Sequence, residues 1–373
     1  MNIAVPKETV DDEARVALTP AVVSQIVSSG LSVSIQKGAG MTSSFTDTAY
    51  EKAGGKIVPD AKSLYKGADV VLKVQKPDDE EIAMMNPGTV LITFLWALSD
   101  QPLVEKLQRA NITAIGMEAL PRISRAQRMD ALSAMSSIAG YKSVLIGANA
   151  LGKYLPMLIT AAGTIAPAKI LVLGAGVAGL QAIATARRLG AVVEAFDVRS
   201  DVKEQVESLG ASFIEIPLEE EETETKGGYA KDMSKEAQEK QKQIIHEHIK
   251  KSDLVITTAL IPGKPAPKLI TAAMVADMSP GAVIVDLASE QGGNCELTRP
   301  GEDYFTDNGV IIRGPLNIPS AMPIHASQLY AKTIHALLMH VIKDGQIHLD
   351  FDDEITGQAT ITHNGKIVSS LLS

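Results

Sequence analysis

Cysteine is almost absent from this sequence of 373 residues, which contains only Cys295. A single cysteine forms no disulfide within the chain and excludes the cysteine clusters that hold structural zinc. Such usage is typical of a reducing compartment. Aromatic residues are also scarce, at 4%, whereas apolar residues make up 45% and charged residues 21% of the chain. The last two fractions are ordinary for globular domains, so they exclude a disordered chain, a collagen-like repeat and a disulfide scaffold.

A long uninterrupted apolar run is missing as well. The most apolar stretch, residues 155–180, is broken by Pro156, Pro167 and Lys169, whereas a membrane-spanning helix needs about 20 largely apolar residues. The opening residues, MNIAVPKE, lack a basic region before an apolar core and predict a strand rather than a signal peptide. The sequence also ends at Ser373 without a hydrophobic tail. We therefore expect no direct insertion into a membrane.

An excess of positive charge is absent too. The 35 basic residues are outnumbered by 44 acidic ones, which gives a net charge of −9. Because the phosphates of a nucleic acid would repel such a chain, no nucleic-acid partner is expected, although the balance leaves room for a local basic patch. His246 and His248 are two residues apart and point to different faces of a helix, which makes them poor metal ligands. No metal site is expected.

Strand and helix signals alternate along most of the chain. In the first series, strands are predicted at Asn2–Pro6, Leu31–Gln36, Val70–Val74, Thr89–Leu95 and Thr113–Met117. In the second series, strands are predicted at Ile170–Leu173, Val192–Asp197, Ser212–Glu215, Leu254–Thr258, Val283–Leu287 and Val310–Arg313. This alternation predicts an α/β fold with two Rossmann-like domains, whose parallel-rich sheets are separated by a cleft, the second domain being doubly wound.

The segments outside these two series set the expected domain boundaries. Residues 122–143 predict a loop that runs into a helix, with helical periodicity to about Leu158 and a break near 147–152. A long helix is predicted over His325–Ile342, followed by a hairpin with Asn364-Gly365 at its turn. We expect this tail to return to the first domain. The expected domains are 1–135 with 325–373, and 136–324.

A glycine-rich turn follows the predicted strand Ile170–Leu173 and opens a helix. In this context the G-x-G-x-x-G spacing predicts a dinucleotide-binding site. Gly174 permits the tight turn, Gly176 lets the backbone approach a pyrophosphate, and Gly179 lets the helix pack closely on the strand. A turn that serves only helix–strand packing is the plainer alternative. The predicted cofactor residues of this turn are Gly174, Ala175, Gly176, Val177, Ala178 and Gly179.

The next predicted strand ends in an acid, Asp197, at about the spacing of 20 residues expected after such a turn. A carboxylate there accepts hydrogen bonds from ribose hydroxyls and repels a 2′-phosphate, which favours NAD(H) over NADP(H). Arg199 points the other way, because a nearby arginine can hold a 2′-phosphate, but Asp197 is given more weight. Asp197, Val198 and Arg199 are predicted cofactor residues, and the second domain is expected to bind NAD(H).

Several longer strings resemble one known family. The opening residues, with PKE at 6–8 and EARVALTP at 13–20, resemble the alanine dehydrogenase and proton-translocating transhydrogenase superfamily. Further strings resemble its transhydrogenase branch: PRISRAQ at 121–127, GGYAK at 227–231, TTALIPGKPAP at 257–267 and QGGNC at 291–295. The resemblance covers essentially the whole chain. It is to the NAD(H)-binding component, called domain I or the soluble part of the alpha subunit.

The departures from alanine dehydrogenases concern acid–base residues. By this resemblance, Gln75 stands where they have a catalytic lysine, Trp96 where they have a catalytic histidine, and Glu290 where they have an aspartate; of that substrate set, Arg15 survives. Making an amino acid from a keto acid needs proton transfers as well as a hydride, and Gln75 and Trp96 cannot supply them. Hydride transfer between two nicotinamide rings needs alignment and exclusion of water instead. We interpret Trp96 as packing and Glu290 as part of the cleft.

The resemblance also implies residues around the nicotinamide. Segment 122–133 matches the motif that holds the ring and faces the partner. Gln127 is expected to bind the carboxamide and Ser133 to reach it, while Arg122 and Asp130 are expected to pair. From its periodicity alone, the segment is an ordinary helix start. The implied catalytic residues are Arg122, Gln127, Asp130 and Ser133.

Two further segments carry implied cofactor contacts. The polar insert at 218–234 matches a loop that closes over NAD(H) in the family, with Gly228 and Tyr229 as its contacts. A solvated insert with an incidental tyrosine is the alternative. Ala259 and Leu260 belong to another matching string and are implied contacts as well.

The function implied by the resemblance is that of the NAD(H)-binding subunit of a Re/Si-specific, proton-translocating transhydrogenase. Hydride would pass directly between NAD(H) on this chain and NADP(H) on a partner subunit, since the sequence contains one nucleotide fingerprint and no channel. The implied partners are a second copy of the chain, the NADP(H)-binding subunit and membrane proton-channel subunits, which hold the chain on the cytoplasmic face of the inner or plasma membrane. Two rival functions are an amino-acid dehydrogenase that acts alone and an NAD(H)-binding sensor or scaffold without catalysis.

Overall fold

The structure, a computed structural model, describes residues 1–215, 235–261 and 263–372. Within these ranges the chain divides into two compact units, Met1–Met135 with Pro319–Ser373, and Ser136–Ile318. The second unit is therefore inserted into the first. The sequence placed the return to the first unit at residue 325, slightly later than Pro319.

The helices and strands alternate in the first segment of the chain. They are β1 (Asn2–Val5), α1 (Pro20–Ser28), β2 (Ser32–Gln36), α2 (Asp47–Lys52), β3 (Lys56–Val58), α3 (Ala61–Lys66), β4 (Val70–Leu72), α4 (Asp79–Met84), β5 (Val90–Thr93), α5 (Gln101–Arg109), β6 (Thr113–Gly116) and α6 (Ala131–Ala150). A 3₁₀ turn, Ser124–Met129, precedes α6. Helix α1 begins at Pro20, whose fixed φ and missing N–H suit the first helical position.

The second unit continues the alternation after α6. Its further elements are β7 (Leu158–Thr160), β8 (Gly163–Ile165), β9 (Lys169–Leu173), α7 (Val177–Arg188), β10 (Val192–Phe196), α8 (Lys203–Ser208), β11 (Ser212–Phe213), α9 (Lys235–Ile249), β12 (Leu254–Thr257), α10 (Ala272–Ala276), β13 (Val283–Asp286), β14 (Asp303–Phe305) and β15 (Ile311–Arg313). The last segment contains α11 (Pro323–His340), β16 (Ile342–Lys343), β17 (Gln346–Ile347), α12 (Glu354–Ala359), β18 (Thr360–His363) and β19 (Lys366–Ile367).

Both large sheets are doubly wound. In the first, described as eight-stranded, the order is β3-β2-β1-β4-β5-β6-β18-β19, and strands β1 to β6 are parallel. The second has the order β11-β10-β9-β12-β13-β15-β14, with only β14 antiparallel among the described strands. Strands β4, β5, β12 and β13 are buried along their whole length, as expected for apolar strands covered on both faces. The predicted α/β fold class is confirmed.

The strand order reverses at one point in each sheet. In the second unit, β9 pairs with β10 on one side and with β12 on the other. In the first, β1 pairs with β2 and β4. Ligands of open α/β sheets bind outside the carboxyl ends of the strands at such points, so these two places position any nucleotide or substrate site.

The predicted helix to about Leu158 is wrong. Helix α6 passes through Gly147 without a break and ends at Ala150, and β7 and β8 form a separate antiparallel hairpin. Gly147 serves packing, because a Cβ there would lie 2.5 Å from a methyl group of Leu254 in β12. Pro156, which has no backbone N–H to donate, suits the irregular stretch after the helix.

The tail forms a hairpin that joins the first sheet. Asn364 and Gly365 have φ values of 49° and 68°, as a tight hairpin turn requires. Strand β18 pairs antiparallel with β6. None of the helices that the structure describes combines the length and hydropathy needed to cross a bilayer.

Candidate functional site

The glycine turn between β9 and α7 lies where the strand order of the second sheet reverses. Gly174 has a φ of 100°, which favours glycine. A Cβ on Gly179 would lie 1.8 Å from the carbonyl oxygen of Gly174, so any side chain there would push the helix off the turn. Gly176, in contrast, has open space, with the Arg199 guanidinium 4.0 Å from its Cβ position. The turn is therefore tight at two glycines and open at the third.

The neighbouring strand end supplies an acid to this turn. The backbone N–H of Ala175 donates to Oδ2 of Asp197 over 2.7 Å. Arg199 holds the same carboxylate with Nε 2.9 Å from Oδ1 and Nη2 2.8 Å from Oδ2. Val198, between them, packs against the apolar core below the sheet. The structure thus brings Ala175, Asp197 and Arg199 together at one edge.

Strand β12 closes the other side of the turn. The Thr258 hydroxyl donates to the carbonyl of Gly174 over 3.1 Å, and a Cβ on Gly174 would lie 2.5 Å from that hydroxyl. Ala259 follows at the carboxyl end of the strand, and Leu260 beside it is exposed. The two residues implied by the family string therefore lie next to the glycine turn.

Asn294 fixes the backbone of Ala259 and was missed by the sequence analysis. Its Oδ1 accepts from the N–H of Ala259 over 3.1 Å, and its Nδ2 donates to the carbonyls of Ala259 and Pro267, each over 2.8 Å. The side chain is fully buried. Asn294 lies in the QGGNC string, so its residue type was available, but its partner is distant in the sequence.

Gly140 on α6 is a second residue that the sequence analysis missed. A Cβ there would lie 2.0 Å from the carbonyl oxygen of Ala178, in the first turn of α7. Gly140 and Gly147 are seven residues apart and lie on one face of α6, which brings that helix close to α7 and β12. The spacing of these two glycines is the signal that would have revealed this contact.

The start of α7 can receive an anion. Backbone N–H groups of the first turn of a helix have no partner within the helix, and the helix dipole adds positive potential there. Together with the open space at Gly176, this suits a pyrophosphate, and the Asp197 carboxylate suits a hydroxyl donor such as a ribose. The described residues fit a dinucleotide. Gly228 and Tyr229, predicted to contact it, lie outside the described residues.

The segment implied to hold the nicotinamide belongs to the first unit. Arg122 and Gln127 are exposed, and Gln127 lies on the 3₁₀ turn. Asp130 accepts from the N–H of Ser133 over 2.8 Å and from its hydroxyl over 2.5 Å, which caps the start of α6. The structure thus joins Asp130 to Ser133; pairing of Arg122 with Asp130 stays a prediction.

The position of the alanine dehydrogenase substrate set is filled by contacts within the first unit. Arg15 forms a buried pair with Glu13, with Nη2 2.6 Å from Oε2. Gln75 donates to the same oxygen over 2.8 Å. Burial raises the pKa of Glu13, but the Arg15 and Gln75 hydrogen bonds outweigh it and lower that pKa to about 2. An internal carboxylate therefore occupies the Arg15 guanidinium.

Trp96 has a positive φ of 54° and a ring stacked on Phe94, with centroids 5.3 Å apart. Its backbone is held from below by the buried carboxylate of Glu118, which accepts from the N–H groups of Leu95 and Ala97 over 3.0 and 3.2 Å. Burial raises the pKa of Glu118 despite these bonds. The indole is 40% exposed, so the prediction that Trp96 serves only packing is incomplete.

A buried ion-pair cluster lies where the strand order of the first sheet reverses. Lys73 Nζ is 2.6 Å from Glu81 Oε1 and 3.4 Å from Glu8 Oε2. Burial lowers the pKa of Lys73, but the two carboxylates raise it further than burial lowers it. Tyr65 also donates to Glu81 over 2.7 Å. The charges at this point are thus paired internally.

Comparison with known proteins gives one consistent family. The models "Alanine dehydrogenase/PNT, N-terminal domain" and "Alanine dehydrogenase/PNT, C-terminal domain" match residues 4–139 and 143–370. The chain is 49% identical over 381 residues to the first of the two chains that form NAD(P) transhydrogenase subunit alpha in Rhodospirillum rubrum, covering 100% of this chain and 99% of that protein. It is 31% identical over 379 residues to alanine dehydrogenase of Mycolicibacterium smegmatis, covering 100% and 96%.

A solved structure agrees with these relatives. The crystal structure of a transhydrogenase from Sinorhizobium meliloti superposes with a TM-score of 0.87 at 41% identity, and the match covers 100% of both chains.

Proposed function

The chain belongs to the alanine dehydrogenase/PNT family, and from this premise we propose that it is the NAD(H)-binding component of a proton-translocating transhydrogenase. Identity to a transhydrogenase alpha subunit, at 49%, exceeds identity to an alanine dehydrogenase, at 31%, over nearly the same length. The observation that carries the proposal is the pairing of Arg15 with Glu13 and Gln75 where the dehydrogenase substrate would bind.

The second unit is the proposed NAD(H) site. The open backbone at Gly176 and the start of α7 would hold the pyrophosphate. Asp197 would accept the ribose hydroxyls, and its negative charge disfavours a 2′-phosphate, so NADP(H) is assigned to a partner subunit. Ala259 and Leu260 would border the same nucleotide. Bound nicotinamide nucleotide supplies the hydride chemistry.

The first unit contributes positioning residues rather than a proton carrier. Gln127, exposed on the 3₁₀ turn, has one donor and one acceptor group with which to orient a carboxamide. Asp130 and Ser133 fix the end of that turn to α6. Re/Si-specific transfer between two rings requires alignment and exclusion of water, and no side-chain proton. The residues Gln75 and Trp96 fit such a reaction because neither titrates near neutral pH.

The proposed partners include a second copy of this chain. Residues 154–168 contain no charged residue, and in this stretch Met157 and Ile159 are 57% and 79% exposed. An isolated two-stranded hairpin is marginally stable in water, and an uncharged apolar surface suits a permanent contact with an identical surface. NADP(H)-binding and membrane proton-channel subunits complete the proposal and would hold the chain at the cytoplasmic face of the membrane.

The test follows NADH oxidation in two parallel reactions. One contains this chain with pyruvate and ammonium. The other contains this chain with a purified NADP(H)-binding transhydrogenase subunit and NADP⁺. We expect turnover only in the second reaction, where hydride has an acceptor ring.

Each other outcome selects a rival function. Turnover with pyruvate and ammonium would show an amino-acid dehydrogenase with a proton donor other than Gln75 or Trp96. Tight NADH binding without transfer in either reaction would indicate a sensor or scaffold. Proton coupling is tested separately, by acidification of vesicles that carry the complete complex.

A further inference from the structure

We propose that Asp353 is a positioning residue that fixes the rotation of the 3₁₀ turn and, through it, the direction of Gln127. The inference rests on the proposed function, in which Gln127 orients the nicotinamide. Asp353 is distant from this turn in the sequence, and no motif or resemblance pointed to it. It lies in the same compact unit as the turn.

Asp353 joins three elements of the first unit. Its Oδ1 accepts from Nη2 of Arg125, on the 3₁₀ turn, over 2.9 Å. Its Oδ2 lies 2.9 Å from Nε2 of His340, in the last turn of α11, and accepts from the N–H of Thr356 over 3.2 Å. Asp353 is also the N-cap of α12. One carboxylate therefore ties the turn to two helices.

The environment of this carboxylate makes it a firm anchor. Its side chain is 16% exposed, and burial raises its pKa, but the bonds from His340, Arg125 and Thr356 outweigh burial and lower the pKa to about 2. Asp353 is thus ionised at every pH at which the protein works. A partly buried carboxylate with several donors is held more firmly than an exposed ion pair, which typically contributes about 0–1 kcal/mol.

The geometry of the turn explains why its rotation needs an anchor. A 3₁₀ helix has about three residues per turn, so residues three apart share a face, and runs longer than about four residues are uncommon. Ala126 and Met129 form the buried face. Arg125 and Arg128 form a basic face, which leaves Gln127 on the third face, with Ser124.

The basic face is directed toward the last helices. Arg125 contacts Asp353. Burial lowers the pKa of His335 on α11, and the charge of Arg128 lowers it further, which puts Arg128 near that helix. With the buried face and the basic face both fixed, Gln127 has one direction left. Without the Asp353 contact, small apolar contacts at Ala126 and Met129 alone would set the rotation.

The experiment compares the full-length variant Asp353→Asn with Asp60→Asn. Asparagine keeps the N-cap of α12 and the contact to His340 but removes the charge that holds Arg125. Asp60 caps α3 in the same way, with Ser63 as its partner, and is the matched control. Two quantities are measured: the rate of hydride transfer from NADH to NADP⁺ with the purified NADP(H)-binding subunit, and the Kd of NADH for the chain alone.

We expect Asp353→Asn to slow transfer by about tenfold, since misplacement of about 1 Å can cost more than that, with the Kd of NADH unchanged. Arg125→Ala should match it, the double variant should be no slower than either, and Arg125→Lys should recover part of the rate. Asp60→Asn should transfer hydride at the wild-type rate. Additive losses in the double variant, or an unchanged rate in Asp353→Asn, would overturn the proposal.

A second readout separates this proposal from the proposed function. Hydrogen exchange at the amides of residues 125–130 is measured in the chain alone. Faster exchange there in Asp353→Asn, but not in Asp60→Asn, supports the anchor even if wild type transfers no hydride, an outcome that would overturn only the proposed function. Unchanged exchange in both variants overturns the anchor.

Discussion

The Arg199 guanidinium lies along both carboxylate oxygens of Asp197, with Nε and Nη2 2.9 and 2.8 Å away. The sequence presented these two residues as opposing signals, one for NAD(H) and one for NADP(H). In the structure they are one unit, in which the acid restrains the arginine. The discrimination between the two nucleotides is therefore predicted to depend on the charge of Asp197 more than on the presence of Arg199.

Replacing Asp197 with Asn tests this pairing. The variant loses the charge that restrains Arg199 and repels a 2′-phosphate, so we expect NADH to bind about tenfold more weakly, the size of one hydrogen bond to a charged group, and NADPH to bind more tightly than to wild type. Titration of each nucleotide gives both Kd values. In Asp197→Asn/Arg199→Ala the gain for NADPH should vanish. A gain that persists there would show that Arg199 is not the phosphate ligand.

Replacing Gly140 with Ala tests the contact between α6 and the start of α7. The new Cβ would lie 2.0 Å from the Ala178 carbonyl, a backbone atom that can move only with its helix. We expect a loss of stability of about 1–3 kcal/mol, typical of overpacking, and weaker NADH binding, measured by calorimetry and titration. Gly152→Ala, which meets no atom within 4 Å, should bind NADH as wild type does. Normal binding by Gly140→Ala would mean that the start of α7 tolerates displacement.

Replacing Glu13 with Gln tests the internal partner of Arg15. The pKa of Glu13 is about 2 in the folded chain against an ordinary 4.5. A lowered pKa contributes stability that is present above the ordinary pKa and lost as pH falls through the folded value, here roughly 3 kcal/mol in all. The variant should therefore have a lower Tm than wild type at pH 7.

The pH dependence is the informative part of that comparison. Between about pH 5 and pH 3 the Tm difference should narrow, because wild type loses the contribution that the variant lacks. Glu105→Gln, which removes an exposed pair with Arg109, should change Tm little at any pH. A difference for Glu13→Gln that stays constant from pH 7 to pH 3 would contradict the assigned pKa.

Replacing Ile159 with Glu tests the hairpin as a contact between copies. A charge at this position, 79% exposed in the single chain, would be buried against its own symmetry mate in a twofold dimer. We expect sedimentation to shift from dimer to monomer. Phe305→Glu changes another exposed apolar residue, at 64%, and should leave the association state as in wild type. A dimeric Ile159→Glu would locate the contact elsewhere.

The sequence predicted the parts of the fold that arise from local pattern. The central strands, the turn at Gly174 and the Asn364-Gly365 hairpin each carry a signal within a few residues. Short strands such as Lys56–Val58 and Asp303–Phe305 were not predicted, since they exist by pairing with neighbours. The hairpin of residues 158–165 was taken for helix because a short apolar run fits either period.

The residues that support the site were harder to predict than those in it. Gly174 and Asp197 stand in a motif of fixed spacing. Asn294, Gly140 and Asp353 act on backbone or side chains from other elements, and their partners follow only from tertiary packing. Segment 218–234 lies outside the described residues, so the roles of Gly228 and Tyr229 stay predictions.

The pairing of β18 with β6 links folding to the order of synthesis. The Thr362 hydroxyl donates to the carbonyl of Ile112, 250 residues earlier. During translation the inserted unit, Ser136–Ile318, emerges whole and can fold while the sheet that surrounds it in sequence still lacks its last strands. Until Thr360–His363 leave the ribosome, β6 presents an unpaired edge to other nascent chains. The late strands thus determine how long the chain is open to aggregation, and slowing translation near the 3′ end of the message would lengthen that interval.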